Sequence, residues 1–441
     1  MADRAAAPPR VPETGRAVTA GDTHRAIDAV WRIESARLIA GLARMVRDVG
    51  LAEDLAQDAL VAALERWPRT GVPDNPGAWL MAAAKRRAID GFRHDKLLDR
   101  KHQELGRELE ARAGSLEAEL DAALDDAVGD DLLRLVFTCC HPVLGTEARV
   151  ALTLRMLGGL TTEEIARAFL VPTPTIAQRI VRAKRTLSES GVGFEAPRAA
   201  ELSARLASVL EVVYLIFNEG YSATAGDDWV RPALCEDALR LGRILAGLMP
   251  GEPEVHGLVA LMEIQASRLG ARVGPGGEPV LLLDQDRRRW DTLLIQRGLA
   301  ALERALSLSG GAPGPYALQA AIAAVHARAR TAAETDWVRM AALYEALART
   351  APSPVVELNR AVALGMAFGP AAGLELADQL VELPSLRNYH LLPSVRGDLL
   401  ARLGRADEAR AEFERAAALT RNERERALLL QRARDCAALL S

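Results

Sequence analysis

From Asp22 onward almost every stretch of this chain repeats its apolar residues at helical spacing, and no convincing alternating strand interrupts them. That property confines the fold to the all-α class. Ile27, Val30, Trp31, Ile33 and Leu38 begin an apolar stripe, and Leu51, Leu55, Ala59, Leu60 and Leu64 continue it on a second helix. Composition agrees: aromatics make only 4% of the residues, while Ala, Leu and Arg, all good helix formers, dominate. Only four of the 55 basic residues are lysines, a skew read as coding bias. A length of 441 residues suits about three domains.

Several function classes drop out early. A net charge of −4 carries no global signature of nucleic-acid binding, so that case must rest on local charge. Four scattered cysteines make no disulfide framework, which fits a reducing cytoplasm. No apolar run reaches the ~18 residues of a membrane span. The best candidate, Ala151 to Leu160, is short and carries Arg155. Residues 1–22 read as a loose tail without the apolar core of a signal peptide. Phosphate-loop, G-x-S-x-G and H-E-x-x-H motifs are missing, and the seven histidines are dispersed, so neither catalytic centre nor cofactor is expected. Cys139-Cys140-His141 has no second ligand pair for zinc and reads as a buried helix face ending at Pro142.

Punctuation divides the chain. Pro68, Gly71, Pro73, Pro76 and Gly77 mark a loop before a third helix over about Ala78 to Lys96. Residues 98–130 are polar, with acids outnumbering bases, and read as a solvated linker with helical pieces. A helical unit spans residues 131–192, closed by Gly191, Gly193 and Pro197. Residues 198–441 are helical pairs with one Gly/Pro-rich interruption at Gly270 to Pro279. Gly397, Gly404, Ala409, Phe413 and Ala416 follow the small-and-aromatic pattern of a tetratricopeptide (TPR) pair, with Phe413 filling the groove between its helices. Tyr344 lies 69 residues earlier, about two repeat periods, which places TPR-like repeats over about 315–435. An irregular helical bundle is the other reading, since Arg421 stands where a repeat-ending proline belongs. Asn218 to Tyr221 and Asp284 to Trp290 mix polar and aromatic residues. They read either as a ligand pocket or interdomain face, or as a satisfied structural network.

The most informative stretch runs from Leu160 to Leu187. Thr161 and Glu164 form a capping box that opens a short helix, closed by Leu170, Val171 and Pro172. Thr173 as N-cap and Pro174 as first-turn proline start a second helix. Arg179, Arg182, Lys184 and Arg185 follow with no acid between Thr173 and Leu187. This spacing is that of a helix-turn-helix, whose second helix enters the major groove. Thr175, Gln178 and Arg179 are then placed for base edges, and the other basic groups for phosphates. Leu170 is the oddity, because its turn position favours a residue tolerant of positive φ.

LTTEEIARAFLVPTPTIAQRIVRAKRTL resembles region four of the extracytoplasmic-function (ECF) sigma factors, and two further blocks resemble region two of that family. AEDLAQDALVAALERW resembles its core-binding helix, and NPGAWLMAAAKRRAIDGFRHDK its promoter-melting segment. FNEGYSATAG, LLLDQDRRRWDTLL and PSPVVELNRAVALGMAFGPAAGLEL look like the C-terminal extension of one subgroup. The resemblance implies a region-two domain over 23–97 and a region-four domain over 131–192. It implies that Asp54, Leu55, Gln57, Asp58 and Leu64 clasp the β′ clamp helices of core RNA polymerase, with the β subunit as a further contact. Trp67 to Asn75 would capture an unstacked minus-10 base with Trp79 behind it. Lys85, Arg86, Arg87 and Arg93 would face the promoter backbone, Asp90 orienting an arginine. Thr173, Thr175, Gln178, Arg179, Arg182, Lys184 and Arg185 would bind the minus-35 element. Arg86 and Pro174 depart from the family's usual Asn and Gly, so no promoter sequence carries over. The expected function is polymerase-dependent initiation by binding and duplex deformation, without enzymatic chemistry. The fused domain, carrying a protein or peptide regulator, is expected to tune it. The alternative is a polymerase-independent helix-turn-helix regulator with a TPR sensor.

Overall fold

A computed structural model describes residues 20–98, 124–223 and 229–438, with side chains for all of these except 20–22, 91–98, 124–129, 199 and 438. Most of the expected tail, most of the acidic linker and the side chain of Arg93 lie outside the described residues, while residues 20–22, expected in the tail, already belong to the first helix. The chain divides into two compact units, Met1–Asp131 and Leu132–Ser441. The fold is all-α. Among the described residues the only strand-like pairing is an isolated bridge, Val273 to Pro279.

The first unit is built on α1 (Ala20–Val46), α2 (Val49–Thr70) and α3 (Pro76–Leu98). Asp48 caps α2 by accepting from the Leu51 amide at 2.8 Å. The inward face of α2 presents Ala52, Ala56, Ala59 and Ala63, small enough for α1 to pack closely, and ends on Trp67. Two expected core residues face solvent instead: Ile33 is 67% exposed and Leu51 is 40% exposed. Ile33 stands six residues from Ile27, about 240° around a 100°-per-residue helix, so it points away from the face Ile27 buries. Leu51 is one residue, about 100°, ahead of Ala52. The expected loop is also shorter. Pro68 lies inside α2, which continues to Thr70, and Gly71 (φ 82°) ends it. Pro76 and Gly77 already belong to α3, because proline suits a first helical turn and Asn75 Oδ1 caps it from the Ala78 amide at 3.0 Å.

The second unit begins within α4 (Leu124–Cys139) and continues through α5 (Thr146–Met156), α6 (Thr162–Ala168) and α7 (Thr173–Glu189). The extension follows as α8 (Ala199–Tyr221), α9 (Pro232–Leu248), α10 (Pro253–Ala266), α11 (Thr292–Leu308), α12 (Pro315–Arg328) and α13 (Trp337–Thr350). It ends with α14 (Pro354–Phe368), α15 (Pro370–Gln379), α16 (Leu391–Arg402), α17 (Ala406–Leu419) and α18 (Glu423–Ala438). Most helices of the extension pack on their neighbours in the chain, as in a stacked array. The Phe413 ring lies on Gly397, where an added Cβ would stand 2.8 Å from Cε1. Asn422 Nδ2, just before the last helix, donates to the carbonyl of Ala223, just after the first helix of the extension, at 3.2 Å.

Candidate nucleic-acid interface

The helix-turn-helix is α6 and α7. Its capping box is complete: the Glu164 amide donates to Thr161 Oγ1 at 3.1 Å, and the Thr161 amide to Glu164 Oε2 at 2.8 Å. Leu170 adopts φ 51°, the left-handed turn its position demands. The start of α7 differs from expectation. Pro172 is the N-cap (φ −59°, ψ 139°), and its carbonyl accepts from Thr175 at 2.9 Å, which puts Thr173 in the first turn without a capping bond. Proline's fixed φ already supplies the cap geometry that Thr173 would otherwise provide.

Ile176, Ile180, Ala183 and Leu187 bury one face of α7. Thr175, Gln178 and Arg182 stand exposed on the other, and Arg179 is half-buried beside them. With Thr186 these residues line a groove of roughly 390 Å³, whose far wall is Val143, Leu144, Gly145, Glu147 and Ala148. Arg179 is ion-paired to Glu147 across the groove. Arg185 pairs with Glu189 at 2.6 Å, which raises its pKa further. Lys184, two residues and about 200° from Arg182, falls on the opposite flank. The structure thus gathers five of the seven residues expected to bind there at or beside one face, with Lys184 apart and Thr173 at the helix start. Glu147 is a groove residue that the sequence reading missed; only its position in another helix's first turn, facing α7, reveals it.

The back of this motif is covered by the extension. Arg205 Nη2 donates to the Phe137 carbonyl at 2.7 Å, in the last turn of α4. Arg240 Nη2 donates to the Gly158 carbonyl at 2.8 Å, just beyond α5, and Arg231 to the carbonyl of Ala168, the last residue of α6. Three helix C-termini, rich in unpaired carbonyls and partial negative charge, are therefore capped by arginines of the extension. Arg149 of α5 reciprocates, bonding Glu211 at 3.0 Å. Ser208 Oγ donates to the Cys140 carbonyl at 2.6 Å. Cys139 and Cys140 are buried in this seam, where burial pushes the Cys140 thiol up to about 11.

In the first unit, Asp54 and Asp58 are exposed on α2, Gln57 and Leu64 are half-buried, and Leu55 turns into the core. Leu51, Asp54, Asp58, Val61 and Glu65 form a continuous exposed ridge at spacings of three and four residues. Leu51 and Val61 are apolar members of it that sequence reasoning missed, because a helical stripe does not say which of its edges finds a partner. Asn75 is exposed in the short loop, Trp79 is half-buried, and its ring meets Trp67 edge-on with centroids 5.3 Å apart. On α3, Arg86 and Asp90 are exposed and Lys85 half-buried, while Arg87 bonds Asp58 at 3.0 Å.

Comparison with known proteins assigns these units. Residues 33–97 match sigma-70 region 2 and residues 134–187 match sigma-70 region 4. Residues 205–306 match a family of unknown function, DUF6596. A protein of Rhizobium meliloti described only as uncharacterized is 45% identical over 88% of this chain and 90% of its own length. The ECF RNA polymerase sigma factor SigK of Mycobacterium ulcerans is 31% identical over 33% of this chain and 75% of that protein. "Probable ECF RNA polymerase sigma factor SigI" of Mycobacterium tuberculosis is 29% identical, and the match covers 57% of it.

Proposed function

Because the chain belongs to the ECF RNA polymerase sigma factors, a family that acts in transcription initiation, we propose that it binds core polymerase through α2 and reads two promoter elements through α3 and α7. The observation that carries this reading is the open face of α7: Thr175, Gln178 and Arg182 point outward, on a helix with no acid between Thr173 and Leu187. Gln suits adenine and Arg suits guanine in the major groove, and neighbouring cations suit phosphates. The ridge of α2 supplies the apolar and acidic contacts that a polymerase helix pair requires. Gly71 to Asn75, Trp79 and the basic residues of α3 receive the minus-10 strand. The protein acts in the cytoplasm by binding and strand capture, with no covalent step of its own.

The extension modulates this activity by holding region four, since its arginines grip helix ends behind the motif and leave the α7 face open. Run-off transcription with bacterial core polymerase and genomic fragments from the source organism tests the reading. Discrete transcripts that share two upstream elements are expected. Failure of the full chain to bind core polymerase overturns it. Equal transcription by residues 1–197 alone overturns the role given to the extension.

A further inference from the structure

Two polar-aromatic segments of the extension, one ending at Tyr221 and one ending at Trp290, meet in the fold around three arginines. Arg272 lies over Tyr221 at 3.8 Å from its centroid and over Trp229 at 5.3 Å. Arg268 lies 5.7 Å from both Tyr221 and Trp290, and Arg287 lies 5.0 Å from Trp290. Rings and guanidiniums therefore alternate. Among the described residues no carboxylate is ion-paired with any of the three.

The donors are in excess. Arg287 is the best served, giving bonds to the His326 and Ala329 carbonyls at 2.8 and 2.6 Å and to Thr335 Oγ1 at 3.1 Å. Arg268 is the least: its guanidinium has no hydrogen-bond partner among the described residues, although the residue is only 8% exposed. The Nε atoms of all three arginines and the indole N–H groups of Trp229 and Trp290 are likewise buried without acceptors. Gln285 Oε1 is the one obligate acceptor left over nearby. Aromatic faces attract guanidiniums but accept none of their in-plane hydrogen bonds. A buried charge is costly unless an opposite charge meets it. Burial first, then the neighbouring Arg268, pushes the Arg272 pKa down, against a hydrogen bond with Tyr221 that raises it.

We propose that this arginine-aromatic stack is a binding site for a small oxyanion, inorganic phosphate or the phosphate group of a small metabolite, with Arg268 at its centre. The site lies where α8, α10 and α12 end, so an anion there ties together the segments that follow three helices. Guanidinium forks match phosphate oxygens in shape as well as charge.

Thermal unfolding of the full-length protein tests this, in chloride and in rising inorganic phosphate or adenosine monophosphate at constant ionic strength. The expected result is a saturating rise of a few degrees with at least one of the two anions. A response to phosphate alone identifies the free ion, and a response to the monophosphate alone identifies the ester. Arg268→Met removes the donors and keeps the stem, so it should lose the response without losing stability in chloride. Arg268→Lys keeps the charge without the fork and should respond weakly. Arg182→Ala should respond like the unaltered chain. Overturning results are no response to either anion, a response that survives Arg268→Met, or one abolished by Arg182→Ala, which would put the anion on the DNA-binding face. A fall in stability of Arg268→Met in chloride together with no anion response would make the stack purely structural.

Discussion

Leu170 shows how one residue can be held in a conformation that its chemistry disfavours. A left-handed backbone costs a non-glycine residue about 1–2 kcal/mol, and 53% of Leu170 is exposed, so packing returns little. Leu170→Gly should raise stability to urea by roughly 0.5 kcal/mol, the strain relief less glycine's extra freedom when unfolded. A loss of stability would show that the leucine side chain anchors the turn. Glu147 holds Arg179 in an ion pair, which on the proposed reading must break before Arg179 meets DNA. Glu147→Gln should tighten binding to the upstream promoter element a few-fold, and the gain should shrink as salt rises. Arg179→Ala should weaken discrimination at that element by ~1–3 kcal/mol in a competition binding assay. His326 carries the clearest pH signature. Burial first, then Arg268 and Arg287, press its pKa down from 6.5 to about 3. Below about 6.5 the unfolded chain takes up a proton that the folded imidazole refuses, so this contribution is complete above that pH and fades as pH falls toward 3. The loss should be about 2 kcal/mol at pH 5, and His326→Gln should flatten that part of a stability-pH curve.

At the scale of helices, the sequence is most legible where local chemistry acts alone. The Thr161 capping box and the positive φ of Leu170 follow from short patterns because neighbours within a few residues fix them, and the Gly397–Phe413 contact follows from the spacing of one helix pair. Gly397→Ala should lower stability to heat by about 1–3 kcal/mol, since its methyl would meet the Phe413 ring with little room to relax. Unchanged melting would mean that the ring moves freely. Legibility fails where a helix face has to choose a partner. Ile33 and Leu51 fit an apolar stripe yet face solvent, and Leu55, assigned to an interface, is buried instead. Periodicity specifies that a face is apolar, and only the packing of α1 on α2 decides which residues it covers. The start of α7 is a smaller case of the same kind: Thr173 is the expected cap, and the backbone puts Pro172 there instead. Glu147 and the stacked arginines were out of reach for another reason: each depends on residues far apart in the chain.

Across the whole second unit, the helix-turn-helix and the extension share one packed body. Arg231 caps the end of α6 and Arg240 the end of the preceding α5, with Glu219 completing the bond to Arg231. Replacing both by alanine should leave the extension folded while amides around residues 157–168 exchange faster in hydrogen-exchange measurements. Unaltered protection would show that the seam is held by other contacts. The arginine caps come from the same chain as the helices they close, so their supply is fixed by tether length and stays the same at any protein concentration. A separately encoded partner can be outnumbered or diluted when expression changes, whereas the extension is always present at one copy per helix-turn-helix. Cell-to-cell variation in protein number therefore leaves the ratio of extension to helix-turn-helix unchanged.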